Sequence, residues 1–212
     1  MAHHLPDYHL YRMKRLYAFD FDGTLTTHDT LLAFIRYACG TKAFIIGFLR
    51  HAPLLILMKI GFYPNGKAKQ RIFAHFFQGW SETTFLDTCQ RFAKERHNLL
   101  RPQAKAELDR LAKQGEQIVI VSASVDLWVA PFFDAYKDSA CRPCILGTQI
   151  EIVHGTVTGR FTSPNCYGAE KVRRLTERFP DRTQYKLFAY GDSQGDQPLL
   201  NYADEGFYKP FR

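Results

Sequence analysis

The sequence lacks acidic side chains over a long internal stretch. Between Thr30 and Ser81 there is no Asp or Glu, whereas seven Lys and Arg residues lie there. The chain has 212 residues with 28 basic and 21 acidic side chains. Outside this stretch the 21 remaining basic residues balance the 21 acidic ones, so the stretch carries the whole net charge of +7. A basic balance indicates an acidic partner, which is a nucleic acid, an anionic membrane or a phosphorylated substrate.

A long hydrophobic run is also missing. The uncharged runs 43–49 and 52–58 fall short of the ~18–20 residues that cross a bilayer, and Pro53 is expected to break a continuous helix, so no transmembrane segment is predicted. Two interpretations stay open. The runs pack inside a helical insert with their basic neighbours solvated, which we favour, or they form an amphipathic basic hairpin on a membrane surface.

The five cysteines are an odd number, which argues against a pure disulfide framework. Cys141 and Cys144 form a C-x-x-C pair without a second pair or nearby His, so two reduced thiols are predicted rather than a zinc site. The first fifteen residues lack an apolar signal core, and the expected location is the cytoplasm, with the inner face of the membrane as an option. Hydrophobic residues at 46% and charged residues at 23% exclude a disordered or fibrous chain.

The order of the predicted elements is that of an α/β fold. Buried strands are predicted at 16–21, 117–121 and 186–190, and amphipathic helices at 102–113 and 171–179. Strands that alternate with helices favour a parallel sheet covered on both faces. Two further strand-like segments, 145–153 and 157–161, flank His154-Gly155, which predicts a hairpin.

Between the first strand and Pro102 only helices are predicted. Asp29 or Thr30 caps the first, which ends at Cys39-Gly40, the second covers 67–78, and Ser81 caps the third. We therefore predict a helical insert at 29–100 within a core domain formed by 1–28 and 101–212.

The strongest chemical signal is Asp20-Phe21-Asp22-Gly23-Thr24, which directly follows the first apolar run. The ends of strands are where α/β sheets place their chemistry. Two carboxylates one residue apart can converge where the chain leaves the sheet, and Gly23 permits a tight turn or close approach of a phosphate.

Three other segments fit this motif. Ser122 directly follows the second predicted strand, Lys171 lies near the start of a helix, and Asp192 and Asp196 follow the third strand. Carboxylates, a hydroxyl and an ammonium group at neighbouring strand ends predict a site for a divalent cation and a phosphoryl group.

In this order the four segments resemble the haloacid dehalogenase superfamily, whose motifs are D-x-D, a Ser or Thr, a Lys and an acidic pair. The resemblance implies a Rossmann-like parallel sheet core with a helical cap inserted after the first strand. In this superfamily an Asp at the position of Asp22 is typical of phosphatases and phosphotransferases. A helical insert directly after the first motif resembles that of subfamily IB. A longer likeness to phosphatidylglycerophosphatase C-like proteins rests on Asp29, the apolar basic insert, 165–171 and 192–200.

The resemblance also implies a mechanism. Asp20 is the nucleophile and forms an aspartyl-phosphate, while Asp22 protonates the leaving alkoxide and then takes a proton from water. Mg²⁺ is held by Asp20, Asp192 and the backbone carbonyl of Asp22.

Further roles follow for the other motif residues. Ser122 hydrogen-bonds a phosphoryl oxygen, and Lys171 neutralises charge. Asp196 is either an orienting residue or a second metal contact. Additional candidates for substrate or supporting contacts are Asp29, Gly23, Thr24 and Ala123.

Several substrates stay open. Phosphoserine phosphatases follow the motif-two Ser with Gly-Gly and place Asn before the last Asp, whereas this chain has Ala123-Ser124 and Gly195, which disfavours a serine substrate. Asp29 keeps that option open, because it lies where those enzymes contact the substrate amine. The basic apolar insert favours a phospholipid head-group phosphate such as phosphatidylglycerophosphate. The alternatives are a cytosolic phosphatase of a small metabolite and, remotely, a non-enzymatic nucleic-acid binder; since no nucleic-acid motif is present, no nucleic-acid partner is expected.

Overall fold

A computed structural model describes residues 13–137 and 142–212. A five-stranded parallel sheet with the order β3-β2-β1-β6-β7 forms its centre, and β4 and β5 form a separate antiparallel pair. The strands are β1 (Lys14–Phe19), β2 (Gln117–Val125), β3 (Cys144–Thr148), β4 (Ile150–Val153), β5 (Thr156–Phe161), β6 (Tyr185–Gly191) and β7 (Glu205–Tyr208). The predicted α/β fold with a parallel sheet is confirmed.

The predicted helices begin close to their expected first residues, and all but the first also end close to their expected last residues. Asp29 caps the first helix by accepting a hydrogen bond from the backbone N–H of Leu32, and Ser81 caps the third by accepting one from Thr84. The helices are α1 (Thr30–Lys59), α2 (Asn65–Phe77), α3 (Glu82–Glu95), α4 (Pro102–Lys113), α5 (Asp126–Val129), α6 (Ala169–Arg178) and α7 (Gln197–Tyr202).

The first helix differs from the prediction. It bends at Gly40, where φ is 81°, but it then continues to Lys59 with Pro53 inside it. The expectation that Pro53 breaks the helix is therefore wrong. Its ring lies on the exposed side, where a lost backbone hydrogen bond faces water. By length and composition alone, α1 is sufficient to cross a membrane.

Three smaller differences concern the strands. The second strand continues to Val125, and the segment predicted as one strand at 145–153 is divided between β3 and β4. The predicted hairpin turn is present, with positive φ at His154 and Gly155. The last strand, β7, was not predicted because its four residues are all exposed and give no apolar alternation.

The predicted cap helices α1–α3 lie between β1 and α4 in the chain, as expected. Their buried aromatic residues share one hydrophobic cluster with the core: Phe34 stacks on Trp128 with ring centroids 4.9 Å apart and meets Phe92 edge-on at 5.2 Å. The β4–β5 hairpin also packs on α2, where Phe161 lies 5.5 Å from Phe73. The insert is thus fixed to one face of the sheet, while the domain boundaries at 28/29 and 100/101 stay a prediction.

The cysteine prediction is tested in part. Cys39, Cys89, Cys144 and Cys166 are free thiols in the described part of the chain. Cys141 and the residues at the N-terminus lie outside the described residues.

Candidate active site

Asp20 lies directly after β1, at the carboxyl end of the sheet. Its backbone N–H donates to the carbonyl of Tyr190 on β6 at 2.9 Å, and the residue is only 5% exposed. The chain then turns at Gly23, where φ is 81°. A Cβ at Gly23 would lie 2.6 Å from Oδ2 of Asp192, so glycine allows the first and fourth predicted motifs to meet.

Lys171 connects the buried carboxylates. From the first turn of α6, its Nζ donates to Asp20 Oδ1 at 2.5 Å, to Asp196 Oδ1 at 2.6 Å and to the carbonyl of Val121 at 2.8 Å. Burial lowers the pKa of Lys171, but the two carboxylates outweigh it and the net shift is upward. Burial also raises the pKa of Asp20 to about 7, against the opposing effect of Lys171.

Three carboxylates form a cluster that is suited to a cation. Asp20, Asp192 and Asp196 each offer an oxygen within 4.8 Å of the others. An all-oxygen donor set is what a hard divalent cation such as Mg²⁺ prefers, and the missing side chain at Gly23 keeps the space beside Asp192 open. The residues therefore fit the predicted cation.

Asp196 is already engaged in orienting its neighbours. Its Oδ2 accepts hydrogen bonds from the backbone N–H groups of Asp192 and Ser193 and from the Ser193 hydroxyl, and its Oδ1 accepts from Lys171. Lys171 and these contacts keep its pKa low despite burial. The sequence left two roles open for Asp196, an orienting residue or a second metal contact. This geometry favours the orienting role.

Thr24 and Arg212 contact the other oxygens of the cluster. The Thr24 hydroxyl donates to Asp192 Oδ1 at 3.3 Å, which gives the predicted candidate Thr24 a supporting contact. The guanidinium of Arg212, which the sequence did not indicate, donates to Asp192 Oδ2 at 2.5 Å and to the carbonyl of Gly23 at 3.3 Å. A positive group is thus held where the acidic cluster faces the cavity.

The carboxylate of Asp22 points away from this cluster. Its Oδ1 accepts two hydrogen bonds from Thr30, and its Oδ2 accepts one from the Ser124 hydroxyl at 2.5 Å. The sequence predicted a metal contact through the backbone carbonyl of Asp22 and not through its side chain, and that contact stays a prediction. Neither Thr30 nor Ser124 was predicted to hold Asp22.

Ser122 is fully buried, and its hydroxyl accepts a hydrogen bond from the backbone N–H of Ser124 at 3.0 Å. The neighbouring Ala123, and not Ser122, lines the cavity at this strand end. The role of Ser122 toward a phosphoryl oxygen stays a prediction. The pattern Ser-Ala-Ser could have indicated Ser124, because residues two apart on a strand face the same side.

A cavity of about 550 Å³ opens above these groups. Its polar side includes Asp20, Asp22, Asp29 and Lys171, so the structure brings most of the predicted residues together. Its apolar side is formed by the insert and includes the following side chains: Leu31, Leu32, Phe48, Leu55, Met58 and Ile72.

Lys69 is the basic residue that the insert contributes to the cavity. It donates from α2 to the carbonyl of Ala123 at 2.7 Å, and burial lowers its pKa against the opposing effect of Asp22 and Asp29. Lys69 is one of the seven basic residues between Thr30 and Ser81, but no pattern in the sequence indicated that it enters the site.

The chain belongs to the haloacid dehalogenase-like hydrolase family, whose family model matches residues 17–201. It is similar to Protein CicA of Caulobacter vibrioides (strain NA1000 / CB15N), with 36% identity over 199 residues that make up 93% of this chain and 86% of CicA. The predicted superfamily is thereby confirmed.

Solved structures share the fold. A protein of unknown function from Bordetella pertussis Tohama I has a TM-score of 0.73 at 21% identity, covering 90% of this chain and 87% of that chain. A phosphoserine phosphatase with a phospho-aspartyl intermediate analogue has a TM-score of 0.59 at 15% identity, covering 93% and 86%. At these identities the likeness shows a common fold.

Proposed function

We propose that the protein is a Mg²⁺-dependent phosphomonoester phosphatase that works through an aspartyl-phosphate on Asp20. The observation that carries this proposal is the contact of Asp20 with Lys171 at 2.5 Å, beside Asp192 and two residues before Asp22. Family membership supports it, because magnesium and an aspartyl-phosphate are typical of haloacid dehalogenase phosphatases.

In the first half-reaction, a carboxylate oxygen of Asp20 attacks phosphorus, and the bond from phosphorus to the leaving oxygen breaks. Asp22 donates its proton to that oxygen, which leaves as an alcohol. Lys171 keeps positive charge beside Asp20 and compensates the charge that develops on the phosphoryl oxygens.

In the second half-reaction, Asp22 accepts a proton from water, whose oxygen attacks the phosphorus of the aspartyl-phosphate. The bond to Asp20 breaks, and inorganic phosphate and the free carboxylate result. Mg²⁺, held by Asp20, Asp192 and the backbone carbonyl of Asp22, would supply further positive charge for the phosphoryl group. The Ser122 hydroxyl is assigned to a phosphoryl oxygen.

We further propose that the enzyme is of subfamily IB and that its substrate is the head-group phosphate of a phospholipid such as phosphatidylglycerophosphate. The two-sided cavity supports this choice. Asp20 and Lys171 lie on one side, where a phosphate reacts, and Phe48, Leu55 and Met58 offer apolar surface on the other. A small polar metabolite would leave that apolar side uncovered.

The second candidate is a cytosolic phosphatase of a small metabolite resembling phosphoserine. It is favoured by Asp29, whose carboxylate caps α1 and lines the cavity, where it is placed to contact a substrate amine. In that case the apolar side has another purpose.

The test is turnover of phosphatidylglycerophosphate, phosphoserine and sugar phosphates by the wild type and Asp20→Asn, each with Mg²⁺ and with EDTA. We expect Mg²⁺-dependent release of phosphate by the wild type and near-complete loss in the variant, with unchanged circular dichroism. Unchanged turnover by Asp20→Asn would exclude Asp20 as the nucleophile. Preference for phosphoserine over the lipid would select the second candidate.

A further inference from the structure

The part of α1 beyond Gly40 exposes a continuous apolar surface. Ile45, Leu49, Pro53, Ile56 and Ile60 are spaced four, four, three and four residues apart, which places them within an arc of about 80° on a helix. Seven of the thirteen large hydrophobic residues exposed in the described part of the chain lie between 45 and 62. These seven, 44–81% exposed, are Ile45, Ile46, Leu49, Ile56, Leu57, Ile60 and Phe62. We call these seven residues and Pro53 the outer face.

The opposite face of the same helix is packed. Gly47 lies against the ring of Phe76 on α2 so closely that a Cβ would overlap it, and Phe48 stacks on the same ring with centroids 6.0 Å apart. His51 meets His75 of α2 at 4.8 Å. Because these contacts hold the helix along the protein surface, the outer face is available to a partner without unfolding, whereas crossing a bilayer would break them.

The charges around the outer face are all basic. Arg50 and Lys59 lie on the two borders of the arc, and Lys42 lies at its first turn; all three are exposed. No acidic residue lies between Thr30 and Ser81, so nothing in that segment opposes an anionic surface. An apolar face with a basic border is the pattern of helices that lie in the interface of anionic bilayers.

The same helix forms the apolar wall of the cavity. Phe48, Leu55 and Met58 line the cavity together with Asp20, while Leu49 and Ile56, next to them in sequence, belong to the outer face. One helix, about 10 Å across, thus separates the outer face from the candidate active site. A partner on the outer face would lie next to the cavity.

We propose that the outer face docks onto an anionic lipid bilayer. The helix lies in the plane of the interface, with its apolar residues at the boundary of the acyl chains and Arg50, Lys59 and Lys42 on the head groups. The inference deepens the proposed function, because it holds the cavity at a surface that carries phospholipid. The docking itself does not require catalysis, so an experiment can contradict the docking proposal and leave the proposed phosphatase function intact, or the reverse.

The test is flotation of the full chain with vesicles of phosphatidylcholine, with and without phosphatidylglycerol. We expect binding to the anionic vesicles that is at least about tenfold stronger than binding to the neutral ones, and a similar loss of anionic binding in Leu49→Glu/Ile56→Glu. Arg50→Gln/Lys59→Gln should weaken binding to the anionic vesicles alone. The matched control is Val153→Glu/Tyr208→Glu, which places two acids at exposed apolar positions elsewhere and should bind as the wild type does.

Catalysis is measured separately with p-nitrophenyl phosphate. Leu49→Glu/Ile56→Glu should keep wild-type turnover of this soluble ester, and Asp20→Asn should float with vesicles as the wild type does. The docking proposal is overturned if the wild type does not float, if the outer-face variant floats equally well, or if the control variant loses binding to the same extent. It is also overturned if sedimentation shows a lipid-free dimer that only the outer-face variant dissociates, because a second copy would then cover this face.

Discussion

Thr30 donates two hydrogen bonds to one oxygen of Asp22, from its backbone N–H at 2.8 Å and from its hydroxyl at 2.6 Å. Thr30 is the first residue of α1, so the proposed general acid is oriented by the helix that begins the insert. A displacement of that helix would therefore change the direction in which Asp22 presents its proton.

Replacing Thr30 by Val should lower kcat about tenfold, a part of the 10²–10⁴ that general acid–base catalysis contributes. The reason is that Val keeps the shape and the backbone N–H but removes the hydroxyl that orients Asp22. Steady-state kinetics with p-nitrophenyl phosphate measure the effect. Thr30→Ser keeps the hydroxyl and is the control. Equal kcat for Thr30→Val and the wild type would show that the hydroxyl does not orient the acid.

Lys171→Met should lower the free energy of unfolding by about 3–5 kcal/mol, measured in EDTA so that no metal ion is bound. The reason is that Asp20 and Asp196 stay buried but lose the ammonium group with which both are paired. Urea denaturation followed by circular dichroism measures this. Asp20→Asn/Lys171→Met removes one of the two carboxylates and should recover part of the loss. A stability loss below about 1 kcal/mol would indicate that solvent reaches the pair and screens it.

Gly23→Ala should reduce turnover by about 100-fold, since its Cβ would meet Asp192 at 2.6 Å and displace a proposed metal ligand. Calorimetry with Mg²⁺ should show weaker binding for the same reason. Gly79→Ala is a matched control, because Gly79 has a similar φ of 86° but no atom within 4 Å of the added Cβ. Gly79→Ala should lose a little stability and keep the wild-type turnover. Equal turnover in the two variants would show that the Cβ at residue 23 does not displace Asp192.

Asp204→Asn tests a contribution to stability that depends on pH. Burial tends to raise the pKa of Asp204, but the N–H of Leu187 and the guanidinium of Arg182 outweigh it and hold the pKa below its usual value. The folded state therefore favours the carboxylate, and this stabilisation is present above the ordinary pKa and is lost as the pH falls through the folded value.

At pH 7 the variant should lose roughly 1 kcal/mol, less than a fully buried charged contact, because Asp204 is partly exposed. The difference from the wild type should shrink below about pH 4. Urea unfolding at several pH values measures it, with the exposed Asp87→Asn as the control. A difference that does not change with pH would show that the charge of Asp204 is not what stabilises the fold.

The sequence predicted the parts of the site that depend on strand order. Asp20 and Asp192 follow neighbouring parallel strands, and the carboxyl ends of such strands meet at one edge of the sheet. Thr30 and Lys69 reach the site only because the insert packs against the core, and no local pattern encodes that packing.

The interpretation that the apolar runs of α1 are buried is wrong for half of the helix. Both faces are apolar, so periodicity does not distinguish the face with Phe48, which packs on α2, from the face with Leu49, which is 69% exposed. Only the position of α2 decides between them.

Trp128 gives the protein an internal optical probe. Its indole N–H donates to the Thr30 hydroxyl at 3.3 Å, and Trp80 is the other of the two tryptophans in the sequence. In a Trp80→Phe background the emission would come from Trp128 alone, two hydrogen bonds from the Asp22 carboxylate. The intensity and wavelength of that fluorescence would then report in real time how the insert packs against the core, without any attached dye.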